Sequence, residues 1–185
     1  REGWGYDPTE TGDARFIRPT PPEGWQYDDE TGTFYQGKLY DPYRERKIAE
    51  CDDACSRAIV KGCDVTLEDG TVEHFALTAE DQINIATAEK AVQAGATQFP
   101  YHADGKLCRL YDAKDIMNII NTATAWKTYH TTYFNHLKQW INRTEEKADI
   151  LAIHYGDELP EDLKQSLDAI MAAMKALINS GVTAS

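Results

Sequence analysis

Residues 63–81 read CDVTLEDGTVEHFALTAED, and this stretch decides the fold class. Over residues 63–67 and 71–77 apolar and polar side chains alternate, the period of a strand with one buried face. Asp69-Gly70 stands between them, and Asp-Gly supplies the positive φ that a tight hairpin turn needs. Thr78 follows, with Asp81 three residues on. The Thr78 hydroxyl can accept from the Asp81 amide while the Asp81 carboxylate reaches back to the Thr78 amide, a capping box that opens a helix. A hairpin running directly into a capped helix implies strands and helices packed as layers.

The same grammar extends outward. Upstream, Asp41-Pro42 places an N-cap residue before a proline at the first helical position, and a helix is expected from there to about Lys61, where Gly62 ends it. Downstream of the capping box the helix is expected to stop at Gly95. A second hairpin follows over residues 97–102 and 106–111 around Asp104-Gly105, with Pro100 marking an edge strand. Asp112 and Asp115 open the longest helical pattern, carried by Ile116, Ile120, Ala123, His130, Phe134, Leu137, Ile141, Ala148 and Leu151. It reads as one helix of up to about 43 residues, or as two with a break near Asn142. From Pro160 a last helix presents Leu163, Leu167, Ile170, Met171, Met174, Leu177 and Ile178 on a broad apolar face, with Asp162, Lys164, Asp168 and Lys175 opposite, up to Gly181.

The first 40 residues differ. Glu2-Gly3-Trp4-Gly5-Tyr6-Asp7 recurs as Glu23-Gly24-Trp25-Gln26-Tyr27-Asp28, and each copy is followed by Glu-Thr-Gly. Each copy reads as a minimal hairpin, with Pro19, Pro21 and Pro22 as a stiff spacer between them. A lone two-stranded hairpin is marginal in water, so these units are expected to dock. The expected fold is α+β: short N-terminal β-hairpin repeats, a small antiparallel β-meander of two hairpins packed with helices, a long helix and a C-terminal αα-hairpin. The expected domains are 1–40, 41–142 and 143–185.

The 185 residues carry 19 basic and 31 acidic side chains, a formal charge of −12. Such a field repels a phosphate backbone, so nucleic acid is not an expected partner. The apolar runs fall short of the roughly 18 residues that a membrane span needs. The opening Arg1-Glu2-Gly3-Trp4 carries no charged-then-apolar leader, so no signal peptide is expected.

Reactive constellations are sparse. Cys51 and Cys55 lie four apart on one helical face beside Ile48 and Ile59, which suits core packing better than a metal site built with Cys63, Cys108 or His102. Asp28-Asp29-Glu30-Thr31-Gly32 fails the calcium-loop spacing, because glycine falls at position 5 and Leu39 at position 12. Of His74, His102, His130, His136 and His154, none is three or four residues from another, so no helical metal pair exists. Trp126, Tyr129, Tyr133, Phe134 and Trp140 crowd one helix; they read as core, or as a ligand or partner surface. No catalytic or cofactor-binding residues are expected.

The stretch from Asp64 to Arg143 resembles a small uncharacterised domain of tailed-phage and prophage proteins encoded near tail-fibre and baseplate genes. The matching pattern is the Asp-Gly hairpin ending in Phe75 and Leu77, the Thr78-Ala79-Glu80-Asp81 helix start, the Gly95 break and the Pro100-Tyr101 segment. Leu110-Tyr111 leading into Asp115-Ile116 and the long helix to Leu137-Lys138 complete it. The segment from Gly24 to Phe34 is also similar to short segments of tail-associated proteins. The first repeat copy departs, with Asp13-Ala14-Arg15-Phe16 where the second has Thr33-Phe34, and the helices after Arg143 lie outside the likeness.

The resemblance implies a non-enzymatic structural or adaptor component of a virion tail, at the baseplate, tail tip or fibre attachment, made in the host cytoplasm. Expected partners are further copies of the chain, as a homo-oligomer, and other tail proteins, with no membrane and no cofactor. The expected partner-binding residues are Trp4, Tyr6, Trp25, Tyr27 and Phe34 on the hairpins and Leu163, Leu167, Ile170, Met171, Met174, Leu177 and Ile178 on the last helix. Alternatives are a tail-fibre assembly chaperone, a carbohydrate-binding module stacking sugars on Trp4 and Trp25, and a cell-wall hydrolase.

Overall fold

The computed structural model describes residues 5–6, 8–9, 16–17, 20–23, 25–28, 32–36 and 42–182. They fall into two compact units, residues 1–46 and 47–185. The class is α+β, as expected from the alternation of hairpin and helix signals.

In the first unit each repeat copy is a hairpin. Strands β1 (Gly5–Tyr6) and β2 (Phe16–Ile17) pair antiparallel, as do β3 (Trp25–Asp28) and β4 (Thr33–Gln36). The β3–β4 turn closes with the Gly32 amide donating to the Asp28 carbonyl at 2.8 Å, Gly32 sitting at φ 70°. Alternation puts Trp25, Tyr27 and Phe34 on one face of this hairpin and Asp28 on the other. The Asp28 carboxylate is buried. It accepts from the Tyr43 hydroxyl and lies 3.9 Å from the Arg46 guanidinium, both in the first turns of helix α1 (Pro42–Lys61).

In the second unit, Gly62 ends α1 at φ 83°. Strands β5 (Cys63–Thr66) and β6 (Val72–Phe75) pair with Cys63 opposite Phe75. Their turn is held by Asp69, whose carboxylate accepts from both the amide and the hydroxyl of Thr71. The capping box forms as read: Asp81 N–H donates to the Thr78 hydroxyl, and Thr78 N–H to the Asp81 carboxylate, opening α2 (Ala79–Gln93). Strands β7 (Gln98–Tyr101) and β8 (Arg109–Asp112) make the next hairpin. Helices α3 (Ala113–Arg143), α4 (Lys147–Ala152) and α5 (Glu161–Val182) complete the chain.

The two hairpins do not share one continuous ladder; each is its own two-stranded sheet. The Asp104 amide links them by donating to the His74 carbonyl at 2.9 Å, and the Asp104 carboxylate accepts from the Ala76 amide. The long helical pattern resolves into the broken alternative, with α3 ending at Arg143. Asp112 occupies the N-cap position of α3 as read, but its carboxylate accepts from the Gln98 side chain across the hairpin rather than from the helix. Helix α5 returns antiparallel along α3. Arg143 grips Asp162 with two hydrogen bonds of 2.5 and 2.8 Å, and further along His136 meets the Ser166 hydroxyl at 3.0 Å.

Two apolar cores form, and α3 serves both. Ile116, Ile119 and Ala123 in its first half pack with Val65, Phe75, Leu77, Ile85 and Tyr111. Tyr133, Leu137 and Ile141 in its second half pack with Cys51 of α1, Ile150, Ile153, Leu159 and Leu167.

Candidate functional site

The expected partner-binding residues separate by position. Trp4 lies outside the described residues. Tyr6, Trp25 and Phe34 are exposed, the last two at 42% and 39%, while Tyr27 is half-buried and meets the Phe34 ring edge-on at 5.1 Å. On α5, Leu163, Leu167 and Met171 face α3 and belong to the second core, Leu167 being almost fully buried. Met174 and Ile178 continue that stripe half-buried. Ile170 and Leu177 turn outward, 42% and 72% exposed. The seam is thus split: one stripe closes the αα-hairpin within the chain, and the neighbouring positions offer apolar surface to solvent.

The structure also assembles a groove that sequence reading did not. Tyr129 and Tyr133 sit one turn apart on α3 with rings stacked at 6.1 Å, and Tyr155, from the segment after α4, stands edge-on to Tyr133 at 5.2 Å. With Asp157, Glu158, Lys164, Leu167 and Asp168 they line a groove of about 310 Å³. Its back wall is tied by hydrogen bonds. The Tyr133 hydroxyl donates to the Asp157 carbonyl at 2.7 Å and accepts from the Gly156 amide at 3.0 Å. Gly156 sits at φ 104°, a conformation that favours glycine. The Asp157 carboxylate accepts from the His154 amide at 2.6 Å.

His130 also lines the groove, largely buried between Trp126 and the tyrosines. Its Nδ1 is 2.7 Å from the Tyr155 hydroxyl, and Nε2 has no hydrogen-bond partner among the described residues. The Trp126 ring stands T-shaped against the imidazole at 4.3 Å, an arrangement in which an aromatic face meets the edge of its neighbour. Burial lowers the His130 pKa, so the ring is neutral at pH 7, and burial pushes the Tyr133 hydroxyl up to about 12. Burial likewise raises Tyr155 and the thiols of Cys51 and Cys55. The Cys55 thiol donates to the His130 backbone carbonyl at 3.3 Å.

Cys51, Cys55 and Cys63 are buried as their positions on core faces imply, and Cys108 is exposed. No group of three or more His, Cys, Asp or Glu side chains among the described residues is placed to hold a metal ion. No helix among the described residues is long and apolar enough to cross a membrane.

Element order, paired cores and groove define a helix-rich α+β domain with a return helix. A family model for a domain of unknown function, DUF4376, matches residues 42–155, more than half of the chain. The chain belongs to that family. The matched region spans α1 to Tyr155, so Tyr129, His130, Tyr133 and Tyr155 lie within the family domain while Lys164 and Asp168 of α5 lie beyond it. No curated protein and no solved structure matches the chain.

Proposed function

We propose that the chain is a non-enzymatic structural or adaptor component of a phage or phage-like tail, at the baseplate, tail tip or fibre attachment. It acts by docking copies of itself and other tail proteins, is made in the host cytoplasm and ends in the virion tail. The likeness of residues 64–143 to tail-region domains supports the setting. The observation that carries docking is on α5: beside the stripe closed against α3, Ile170 and Leu177 stay exposed on a helix that already packs. Apolar side chains held outward on a rigid element are inexpensive to bury against a partner, because little conformational entropy is lost on association. The hairpin face of Trp25 and Phe34 adds aromatic surface of the type enriched at interfaces.

Size exclusion with light scattering tests the self-association. The unaltered chain is expected to run as an oligomer, and Ile170→Asp with Leu177→Asp to run as a folded monomer, since neither position supports the core. A monomeric unaltered chain removes the intersubunit reading. Mass spectrometry of purified particles tests the setting: the chain is expected in the particle, and its presence in infected-cell lysate alone makes it an assembly chaperone instead.

A further inference from the structure

We infer that the tyrosine groove between α3 and the start of α5 receives the guanidinium of an arginine side chain presented by a partner polypeptide. The occupant is argued from charge and from what the chain does with its own arginines. Asp157, Glu158 and Asp168 border the groove against the single cation Lys164, whose ammonium is held by Glu158. Asp168 is exposed on α5 and feels the Lys164 ammonium electrostatically, and Tyr129 presents 41% of its surface. Aromatic faces beside unbalanced carboxylates attract cations, because the ring quadrupole and the carboxylate field add.

Among the described residues the chain builds this arrangement twice, each time with arginine. Arg109 lies 4.0 Å over the Tyr111 ring, and both Arg109 and the Tyr111 hydroxyl donate to Glu73. Arg46 lies 5.1 Å over the Tyr43 ring, and Asp28 takes the Tyr43 hydroxyl with Arg46 at 3.9 Å. In the groove the ring and the carboxylates are present, and among the described residues no guanidinium lies over them. A planar, weakly hydrated guanidinium stacks on tyrosine and forks toward a carboxylate, which a compact ammonium does less well. The volume of about 310 Å³ accommodates that head with its methylene stem.

The test is titration of the full chain with N-acetyl-arginine methylamide, read by NMR of the aromatic side chains. Saturable shifts of Tyr129, Tyr155 and His130 are expected, with the neutral citrulline analogue silent and the lysine analogue weaker. Tyr129→Ala and Asp168→Asn, both at exposed positions, are each expected to weaken binding by about fivefold, and Tyr129→Phe to retain it. Absence of saturable shifts, an equal response to citrulline or lysine, or unchanged affinity in Tyr129→Ala and Asp168→Asn overturns the assignment.

Discussion

Gly62 shows how one residue joins a local signal to a distant constraint. Its position after the last turn of α1 reads directly as a helix stop, and its φ of 83° agrees. What local sequence does not carry is the approach of β6: a Cβ at residue 62 would lie 1.9 Å from the Phe75 carbonyl oxygen. Gly70 shares the φ of 83° but has open space around it. Gly62→Ala is therefore expected to destabilise the fold by about 3 kcal/mol or more, by adding a backbone clash to the strain. Gly70→Ala is expected to cost about 1 kcal/mol, from left-handed strain alone. Equal urea midpoints for the two variants would contradict the clash.

A second residue, His74, carries a pH signature. Its Nδ1 lies 2.6 Å from Asp64, its Nε2 2.8 Å from the Lys61 carbonyl and 3.8 Å from Asp104, and the bond to Asp64 is the largest cause of its raised pKa. A raised folded pKa means that the protonated ring stabilises the fold. That contribution is complete below the unfolded value of about 6.5 and is lost as pH rises through the folded value. His130 has the opposite sign, since its lowered pKa costs stability as pH falls below about 6.5. The stability difference between the unaltered chain and His74→Asn is thus expected to shrink toward alkaline pH in urea titrations, and a difference that grows would reverse the assignment.

At the scale of elements, helices and hairpins were legible wherever a signal is local, while the sequence left open whether the long pattern is one helix or two. Asp-Gly turns, the Thr78–Asp81 capping box, Pro42 and the stop at Gly95 depend on residues within four positions of one another. Signals that depend on a distant partner were not legible. Asp112 marks the start of α3, yet Gln98 takes its side chain, and the single bond from the Asp104 amide to the His74 carbonyl stands where a meander joining the two hairpins was expected. The α5 stripe illustrates the same limit. Its seven apolar residues read as one broad face, and only the antiparallel return along α3 sorts them into closed and open positions. Leu167→Ala is expected to cost about 2–4 kcal/mol through the cavity it leaves, while Ile170→Ala stays within about 0.5 kcal/mol. Chemical denaturation reads both, and a costly Ile170→Ala in a monomer would place that side chain in the core.

At the scale of the whole molecule, the groove was the least legible feature, because three chain segments build it. Tyr129 and Tyr133 were visible as an aromatic cluster on a helix, and Gly156 marked the turn of an antiparallel αα-hairpin, but Tyr155 has no periodic company that would place its ring against Tyr133. The agent of that assembly is α3, which contributes Ile116, Ile119 and Ala123 to one core and Tyr133, Leu137 and Ile141 to the other. A continuous helix couples what it joins: if one core loosens, the hydrogen-bonded rod shared with the other loses support, and nucleating it again is costly. Residues 47–182 should therefore unfold as one cooperative unit. Leu137 is fully buried in the second core, so Leu137→Ala is expected to cost about 2–5 kcal/mol. In native-state hydrogen exchange it should speed the slowest amides around Ile116–Ala123 by the same free energy as those around Tyr133–Ile141. Acceleration confined to the Tyr133–Ile141 half would show two independent cores strung on a helix that does not couple them, and the groove would then open without disturbing the hairpins.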